Sequence, residues 1–452
     1  MITRVAEERV RFLNNEKIRT GRYVLYWMQS SHRTVDNPAL QYAVERADHS
    51  NAPVIVYFGL SETYPEANLR HFNFMLEGLE EVSKSFEEMN IKFILKVESP
   101  DEGALNLSRD ASVVVVDRGY LKHQIGLYNL VAERCRCPFI QVEGNVVVPV
   151  ETASPKEEYS AGTFRPKITR LLDRFLHPVE NISPKLSSLH FDFPSLVGEP
   201  IQSILSGLNI DKSVPVSSLF KGGTNEAKLI FTEFMQERLD SFSEGRNDPG
   251  GIGSSNMSPY LHFGQVSPVS LAIQSQEHGG KGTSVFLEEL IVRRELAVNF
   301  VRYNNQYDNF QGLPKWSQNT LNSHTDDKRE YVYSLDELEN ASTHDQYWNA
   351  SQLEMKKTGK MQGYMRMYWG KKILEWTEDP REAYTNAVFL NNKYEIDGRD
   401  PGGYAGIAWC FGKHDRPWKE REIFGMVRYM NFQGLKRKFS MDNYVQKIRR
   451  FY

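Results

Sequence analysis

The chain has 452 residues, of which 40% are hydrophobic, 25% charged and 12% aromatic, and its formal net charge is −3. This balance is typical of a globular protein with two or three domains and excludes a disordered or fibrous chain. No apolar stretch approaches the roughly 18–20 residues of a membrane helix, and the charged N-terminal segment MITRVAEERVRF lacks a signal-peptide core. Three cysteines are too few for a disulfide framework, so we expect a reducing compartment, and no residue cluster has metal-ligand spacing.

Residues 1–176 are predicted to form an α/β domain. Strands are predicted at 23–29, 54–60, 92–97, 112–117 and 139–142, with helices near 38–49, 68–89 and 120–135. Continuous apolar runs such as SVVVVD suit strands covered on both faces, which favours a doubly wound parallel sheet with its cleft at the carboxyl ends. The dinucleotide fingerprint GxGxxG is absent, so a small-molecule site and a purely structural sheet both stay open.

The rest of the chain is predicted to be a linker followed by a helical domain. Residues 177–222 contain many Ser and Pro residues and lack a sustained period, which is typical of an interdomain linker. In residues 223–452, helical stretches are predicted at 225–240, 284–303, 335–340, 360–376 and 381–391. The predicted fold class is therefore α/β followed by all-α.

A Gly- and Ser-rich stretch at 250–264, GGIGSSNMSPYLHFG, is a candidate anion site. Pro259 is suited to the first turn of a helix. Backbone N–H groups at a helix N-terminus, with the hydroxyls of Ser254, Ser255 and Ser258, could hold a phosphate. An ordinary Gly/Ser loop is the alternative.

The predicted helix FLEELIVRRELAVNF, at 286–300, carries charges beside an apolar stripe. Glu289 and Arg293 are four residues apart and therefore share a face, where an ion pair is at least as well supported as a functional carboxylate. Arg294 and Glu295 are expected to form surface pairs.

The helix GKMQGYMRMYWGKKILEW, at 359–376, is richer in aromatic residues. Arg366, Trp369 and Trp376 lie along one face at spacings of three and seven residues. Trp348 would lie between the two rings if its segment packs against this helix. Buried core and an electron relay are both compatible with this pattern.

The stretch DGRDPGGYAGIAW, at 397–409, combines charges with glycines that allow close approach of a flat ligand. Asp397 is the expected partner of Arg366, because a buried guanidinium needs a carboxylate.

Charge is distributed unevenly along the chain. Residues 412–452 contain eleven Lys or Arg against four Asp or Glu, which gives +7 and leaves −10 for the remainder. Aromatic residues lie between these cations, a combination that suits a phosphate backbone beside unstacked bases. A solvated helix face is the alternative, and it explains most charge runs.

These segments resemble the class II cyclobutane pyrimidine dimer photolyases of the photolyase/cryptochrome family. The motifs are SNMSPYLHFGQVS, FLEELIVRREL, THDQYWNAS, MRMYW, DGRDPGGYAGIAW and RYMNFQGLKRKF, and the likeness runs from about residue 26 to residue 439. The resemblance implies a Rossmann-like antenna domain and a helical domain that binds FAD.

The resemblance also implies roles for individual residues. Catalytic roles fall to Glu289, Met367, Asn391 and Trp409, and an electron relay runs from flavin to surface through Trp369, Trp348 and Trp376. FAD contacts fall to Ser254, Ser255, Asn256, Met257, Ser258, Arg366, Asn391, Asp397, Arg399 and Asp400. DNA contacts fall to Arg246, Asn247, Arg293, Arg416, Trp418, Arg421, Arg428, Lys436, Arg437 and Lys438.

The sequence departs from the family pattern at three places. Arg293 stands where some members have Trp, and Phe242 where relatives often have Tyr. The DNA-facing segment, which the resemblance implies at 416–422, is about one residue shorter just before His414.

The implied activity is light-driven repair: reduced, anionic FAD donates an electron to a flipped-out pyrimidine dimer in duplex DNA, which is split to two pyrimidines. A cryptochrome-like photoreceptor without repair activity is the alternative. The α/β domain could bind an antenna chromophore, which would be a deazaflavin, a folate or a flavin, or it could bind none. We expect a monomer with no membrane partner in a prokaryotic cytoplasm, associated with the nucleoid, and a nuclear location stays open.

Overall fold

The computed structural model describes residues 5–451, so residues 1–4 and 452, at the outer ends of the predicted first and last domains, lie outside it. Within the described residues, one sheet contains the strands β1 (Val10–Phe12), β2 (Tyr23–Trp27), β3 (Val54–Leu60), β4 (Lys92–Val97), β5 (Ala111–Asp117) and β6 (Phe139–Val142). Its order is β1-β6-β5-β2-β3-β4, and every neighbouring pair is parallel except β1 with β6. The prediction missed β1, which is three residues long and largely exposed.

Helices cover both faces of this sheet. They are α1 (Pro38–Ser50), α2 (Leu69–Glu88), α3 (Pro100–Ser108) and α4 (Lys122–Arg134). Side chains alternate along each strand: Val24 and Val54 pack with α1 and α2, whereas Leu25 and Ile55 pack with α3 and α4. The doubly wound architecture is therefore confirmed. Sequence periodicity missed α3, whose residues PDEGALNLS include several poor helix formers.

The segment 177–222 is mostly irregular, as predicted, but one helix folds back onto the sheet domain. Three short helices lie between the sheet and this segment: α5 (Val150–Ala153), α6 (Ala161–Thr169) and α7 (Leu172–Phe175). The segment itself contains α8 (Ile201–Gly207). The buried side chains of α8, Ile204 and Leu205, join the core between α1, α2 and the sheet. The domain boundaries stay a prediction.

The described residues from 223 to 451 contain helices and no strand. The helices are α9 (Thr224–Glu233), α10 (Phe242–Gly245), α11 (Ser258–His262), α12 (Pro268–His278), α13 (Thr283–Leu287), α14 (Arg294–Tyr303), α15 (Lys315–Ser323), α16 (Leu335–Glu339), α17 (Gln346–Thr358), α18 (Gly363–Trp376), α19 (Pro380–Tyr394), α20 (Pro401–Cys410), α21 (Phe432–Lys438) and α22 (Met441–Arg449). Two π-helical segments, Phe234–Arg238 and Glu288–Arg293, interrupt this series, and 3₁₀ turns lie at Glu7–Arg9 and Phe310–Gly312. Among residues 5–451, no helix combines the length and apolar composition needed to cross a membrane.

Buried polar contacts fasten the sheet domain to the helical domain. Arg70, in the first turn of α2, donates to the carbonyls of Met355 (3.1 Å) and Tyr394 (2.6 Å). Glu295 accepts from the backbone N–H groups of Val147 (2.5 Å) and Val148 (3.2 Å). Burial raises the pKa of this carboxyl to about 7.

The expected surface pairing of Arg294 and Glu295 is therefore wrong. Glu295 is 2% exposed, and Arg294 donates to the carbonyl of Asn145 at 2.7 Å. The helix turns this pair toward the sheet domain, a placement that spacing within the helix could not reveal.

Candidate active site

A cavity of about 780 Å³ opens in the helical domain, within the size range of cofactor sites. The sequence-predicted residues that line it are Arg246, Asn247, Ser254, Ser255, Asn256, Met257, Ser258, Glu289, Arg293, Arg366, Met367, Asp397, Asp400 and Trp409. Residues separated by more than 160 positions thus come together around one space. Gly402, Gly403 and Gly406 in the first two turns of α20 form part of its wall.

Part of the cavity wall is formed by the Gly/Ser loop before α11. The guanidinium of Arg238, which is 7% exposed, donates to the carbonyls of Ile252 (3.3 Å) and Ser254 (3.1 Å). A Cβ on Gly253 would lie 2.4 Å from the carbonyl carbon of Gly245, so only glycine fits there. Sequence reasoning missed Arg238, which lies in a π-helical segment and has no motif around it. The loop backbone is held in place, with the 254–258 stretch facing the cavity.

A buried charged cluster, formed by Lys360, Arg366, Glu395 and Asp397, lies at another part of the wall. Arg366 Nη2 lies 3.2 Å from Glu395 Oε1 and 4.0 Å from Asp397 Oδ1. The Lys360 ammonium lies 4.0 Å from Asp397 Oδ2 and donates to the hydroxyl of Ser258. Asp397 is thus near Arg366 as predicted, but Glu395 is the nearer carboxyl, and sequence reasoning missed it.

The two carboxyls of this cluster differ in protonation. Burial raises the pKa of Glu395 to about 8, although Arg366 opposes this effect. Burial would also raise the pKa of Asp397, but Lys360 and Arg366 outweigh it and hold the pKa well below its ordinary value. At neutral pH, Glu395 is therefore mostly protonated and Asp397 ionised. With two cations and one anion, the cluster carries a net charge of about +1.

The variant Glu395→Gln tests this assignment. Because the pKa of Glu395 is raised from 4.5 to about 8 in the folded state, its stabilising contribution is full below the unfolded pKa and is lost as pH rises through the folded pKa. Glutamine keeps the shape of the side chain but does not titrate. Between the unfolded pKa of 4.5 and the folded pKa of about 8, the free energy of unfolding of the variant should therefore rise relative to that of wild type by about 1.4 kcal/mol per pH unit. Urea unfolding at about pH 5 and about pH 8 measures the difference. An equal difference at both pH values would contradict the assignment.

Among the predicted cofactor residues, Asn391 and Arg399 do not line the large cavity, whereas Asp400 does. Asn391 is 2% exposed, and its Oδ1 has no hydrogen-bond partner within the described residues. Asp400 accepts from the Gly402 N–H at 2.7 Å and caps α20. The Arg399 side chain is not part of the large cavity; its guanidinium donates to the carbonyl of Asn392 at 2.5 Å and lines a neighbouring pocket.

The π-helical segment Glu288–Arg293 also contributes to the cavity wall. Glu289 pairs with Arg246 at 2.6 Å, and Arg293 pairs with Glu288 at 3.0 Å. The ion pair of Glu289 with Arg293, one of the two alternatives considered for this face, is therefore not formed. A π-helix brings residues i and i+5 together, which joins Glu288 to Arg293 and leaves Glu289 facing the cavity.

The three relay tryptophans are in contact in the predicted order. The rings of Trp369 and Trp348 are stacked with centroids 6.4 Å apart, and those of Trp348 and Trp376 are 5.6 Å apart. Trp369 Nε1 donates to Gln352 Oε1 at 2.8 Å. Trp376, expected nearest to the surface, is only 2% exposed and lies beneath Tyr333.

Cations and aromatic rings alternate on the surface beside the cavity. Arg428 lies between Trp409 (5.9 Å) and Trp418 (4.6 Å), and Arg416 also contacts the ring of Trp418. Arg421 lies 3.2 Å from the ring centroid of Tyr429. The other predicted DNA-binding cations, Lys436, Arg437 and Lys438, are exposed on α21. Trp409 lines the cavity, so this surface continues from its mouth.

A second pocket, of about 280 Å³, lies at the carboxyl ends of the sheet strands. Its lining includes Phe58, Tyr64, His71, His123 and Arg399. It occupies the cleft predicted for a doubly wound sheet.

Comparison with known proteins relates this arrangement to a family. The sequence profile described as DNA photolyase matches residues 24–185. A deoxyribodipyrimidine photo-lyase of Methanothermobacter thermautotrophicus is 53% identical over 444 residues, which cover 98% of each chain. The chain belongs to the photolyase family. It is accordingly an enzyme, a lyase, as predicted, and the class II assignment stays a prediction.

Solved photolyase structures share the fold. A class III photolyase from Agrobacterium tumefaciens superposes with a TM-score of 0.73 at 18% identity, covering 96% of this chain and 87% of that one. An archaeal photolyase from Sulfolobus tokodaii, described as containing two FAD molecules, gives 0.70 at 17% identity, covering 94% and 89%. These likenesses confirm the order predicted for the present chain, an α/β domain before a helical domain.

Proposed function

We propose that the protein repairs cyclobutane pyrimidine dimers in duplex DNA, driven by light, with reduced FAD in the large cavity. The observation that carries the proposal is that Glu289, Arg246 and Trp409 line the same cavity as Arg366 and Asp397. When bound, reduced FAD supplies a photoexcited electron for splitting the dimer. The protein supplies binding, orientation and electrostatics.

The described residues fit FAD. The loop 254–258 and the first turn of α11 offer hydroxyls and N–H groups for phosphates. Asp397 Oδ1, in the cavity wall, is a buried polar atom without a hydrogen-bond partner within the described residues. The net charge of about +1 on the Lys360, Arg366, Glu395 and Asp397 cluster favours an anionic ring, and neutral Glu395 preserves that charge.

Substrate binding would use the neighbouring basic surface. A dimer must leave the duplex to reach a buried cavity, at a cost of a few kcal/mol that is smaller at a damaged site. Arg416, Arg421 and α21 would bind phosphates and set the register, while Arg428 would fill the gap in the duplex. Within the cavity, Arg246 and Glu289 would orient the dimer carbonyls.

The experiment that tests this function is irradiation of the reduced, FAD-loaded protein with an oligonucleotide duplex containing one thymine dimer. We expect thymine absorbance to return under blue or near-ultraviolet light and to stay unchanged in the dark. A holoprotein that absorbs light but restores no thymine would contradict repair and favour the photoreceptor alternative.

The second pocket is the proposed antenna site of residues 1–176. Its Phe58, Tyr64 and His123 rings suit a flat chromophore of the deazaflavin, folate or flavin class. An absorption spectrum of the purified protein would identify the chromophore. We further propose a monomer that acts in a cytoplasm, associated with the nucleoid. Measuring the size of the protein in solution, with and without DNA, would test whether it is a monomer.

A further inference from the structure

His414 lies in a fixed position between α20 and the DNA-facing segment. Its φ of 58° is in the left-handed region, so surrounding contacts must stabilise it. The ring packs edge-on against Phe300, with centroids 5.8 Å apart. The preceding Lys413 lies over the same Phe300 ring and forms a salt bridge with Glu157. The His414 ring therefore has little freedom to turn.

The hydrogen bond of one ring nitrogen determines the state of the other. His414 Nδ1 lies 3.0 Å from the carbonyl oxygen of Tyr159. A carbonyl only accepts, so Nδ1 carries a proton and donates it. Burial lowers the pKa of His414 to about 4, and Lys413 and Arg293 act in the same direction. The imidazole is thus neutral at physiological pH, and Nε2 is an acceptor.

This acceptor has no hydrogen-bond partner in the protein. Nε2 of His414 is buried and unpaired within residues 5–451. His414 lines the large cavity together with Glu289, Arg293 and Trp409, which are residues proposed to contact the substrate. An unpaired acceptor in such a place is unfavourable unless a ligand donates to it.

We infer that His414 Nε2 accepts a hydrogen bond from the N3–H, or an exocyclic amino group, of one base of the bound pyrimidine dimer. Each thymine ring of a dimer has two carbonyl acceptors and one N–H donor. The guanidinium of Arg246 can serve the carbonyls, but an N–H needs an acceptor. This inference rests on the proposed function and adds a residue that reads the Watson–Crick edge of the flipped bases.

The test measures binding in the dark, with duplexes that carry one thymine dimer, unmodified or N3-methylated on the 5′ or the 3′ base. For the wild-type holoprotein, we expect one of the two methylated duplexes to bind about tenfold more weakly, which corresponds to one lost hydrogen bond. In His414→Phe, the unmodified dimer should bind about tenfold more weakly, and methylation should add little. His414→Gln should recover part of the difference, because its amide oxygen can accept.

Tyr159→Phe is the matched control. It removes the hydroxyl that donates to the Asp415 carbonyl at 2.9 Å but keeps the backbone carbonyl that orients His414. Sensitivity to N3-methylation should persist in this variant. Equal methylation effects in wild type and His414→Phe, or none in wild type, would overturn the role of His414. Equal binding of dimer-containing and undamaged duplexes by wild type would overturn the proposed function as well.

Discussion

Replacing Trp369 by phenylalanine is expected to abolish light-driven reduction of the FAD-loaded protein while repair by chemically reduced protein survives. The ring of Trp369 is stacked on Trp348, which contacts Trp376 in turn. All three side chains are at most 2% exposed, so the proposed relay runs through the protein interior. Phenylalanine is much harder to oxidise than tryptophan and would break this path at its cofactor end. Reductant supplied directly to the cofactor would make the path unnecessary.

Two measurements separate this role from a structural one. Bleaching of the oxidised flavin band under blue light reports electron delivery, and thymine recovery after dithionite reduction reports repair. Trp369→Phe also leaves Gln352 Oε1 without its donor, at a cost of about 1–3 kcal/mol in stability. Trp27→Phe is the control: Trp27 is fully buried in the sheet and its Nε1 has no partner within the described residues. Lost repair in chemically reduced Trp369→Phe would contradict the relay assignment.

The sheet was predictable because burial on both faces produces a continuous apolar run. The bounds of β3, β4 and β6 matched their predictions, and β2 and β5 differed only at one end. The helical domain was harder to predict. The segment PGGYAGIAWC contains three glycines and was not among the predicted helices, yet it forms α20. Packing against α14, α18 and α19 overrides its low helix propensity.

The candidate site was predictable where one helix carried the pattern. Spacing placed Arg366, Trp369 and Trp376 on a common face. The structure places Trp348 between Trp369 and Trp376, as expected if its segment packs against this helix. Glu395 and Arg238 had no such signal. Glu395 follows the last residue of α19, and the turn that directs it toward Arg366 cannot be predicted from helical periodicity. In the π-helical segments, residues do not pair at the i,i+4 spacing that is assumed for an α-helix.

Glu289→Ala is expected to lower the repair yield by at least about tenfold while changing affinity for dimer-containing DNA much less. One preorganised polar contact that matters in the transition state is worth roughly 2.7–4 kcal/mol. Glu289 lines the cavity and pairs with Arg246 at 2.6 Å. Its removal frees that guanidinium without removing a cation that could bind phosphate. Ground-state binding should therefore change little, whereas control of charge developing on the dimer carbonyl should be lost.

Glu289→Gln distinguishes two ways in which this carboxyl could act. A carboxyl donates a hydrogen bond to a carbonyl only when protonated, whereas an amide donates at every pH. If Glu289 itself donates, glutamine should keep more of the yield than alanine. If Glu289 instead orients Arg246 as the donor, glutamine and alanine should lose similar yield, because both break the ion pair. The matched control is Glu288→Gln, which removes the partner of Arg293 on the same π-helical segment. Equal losses of yield and DNA affinity in Glu289→Ala would contradict either role.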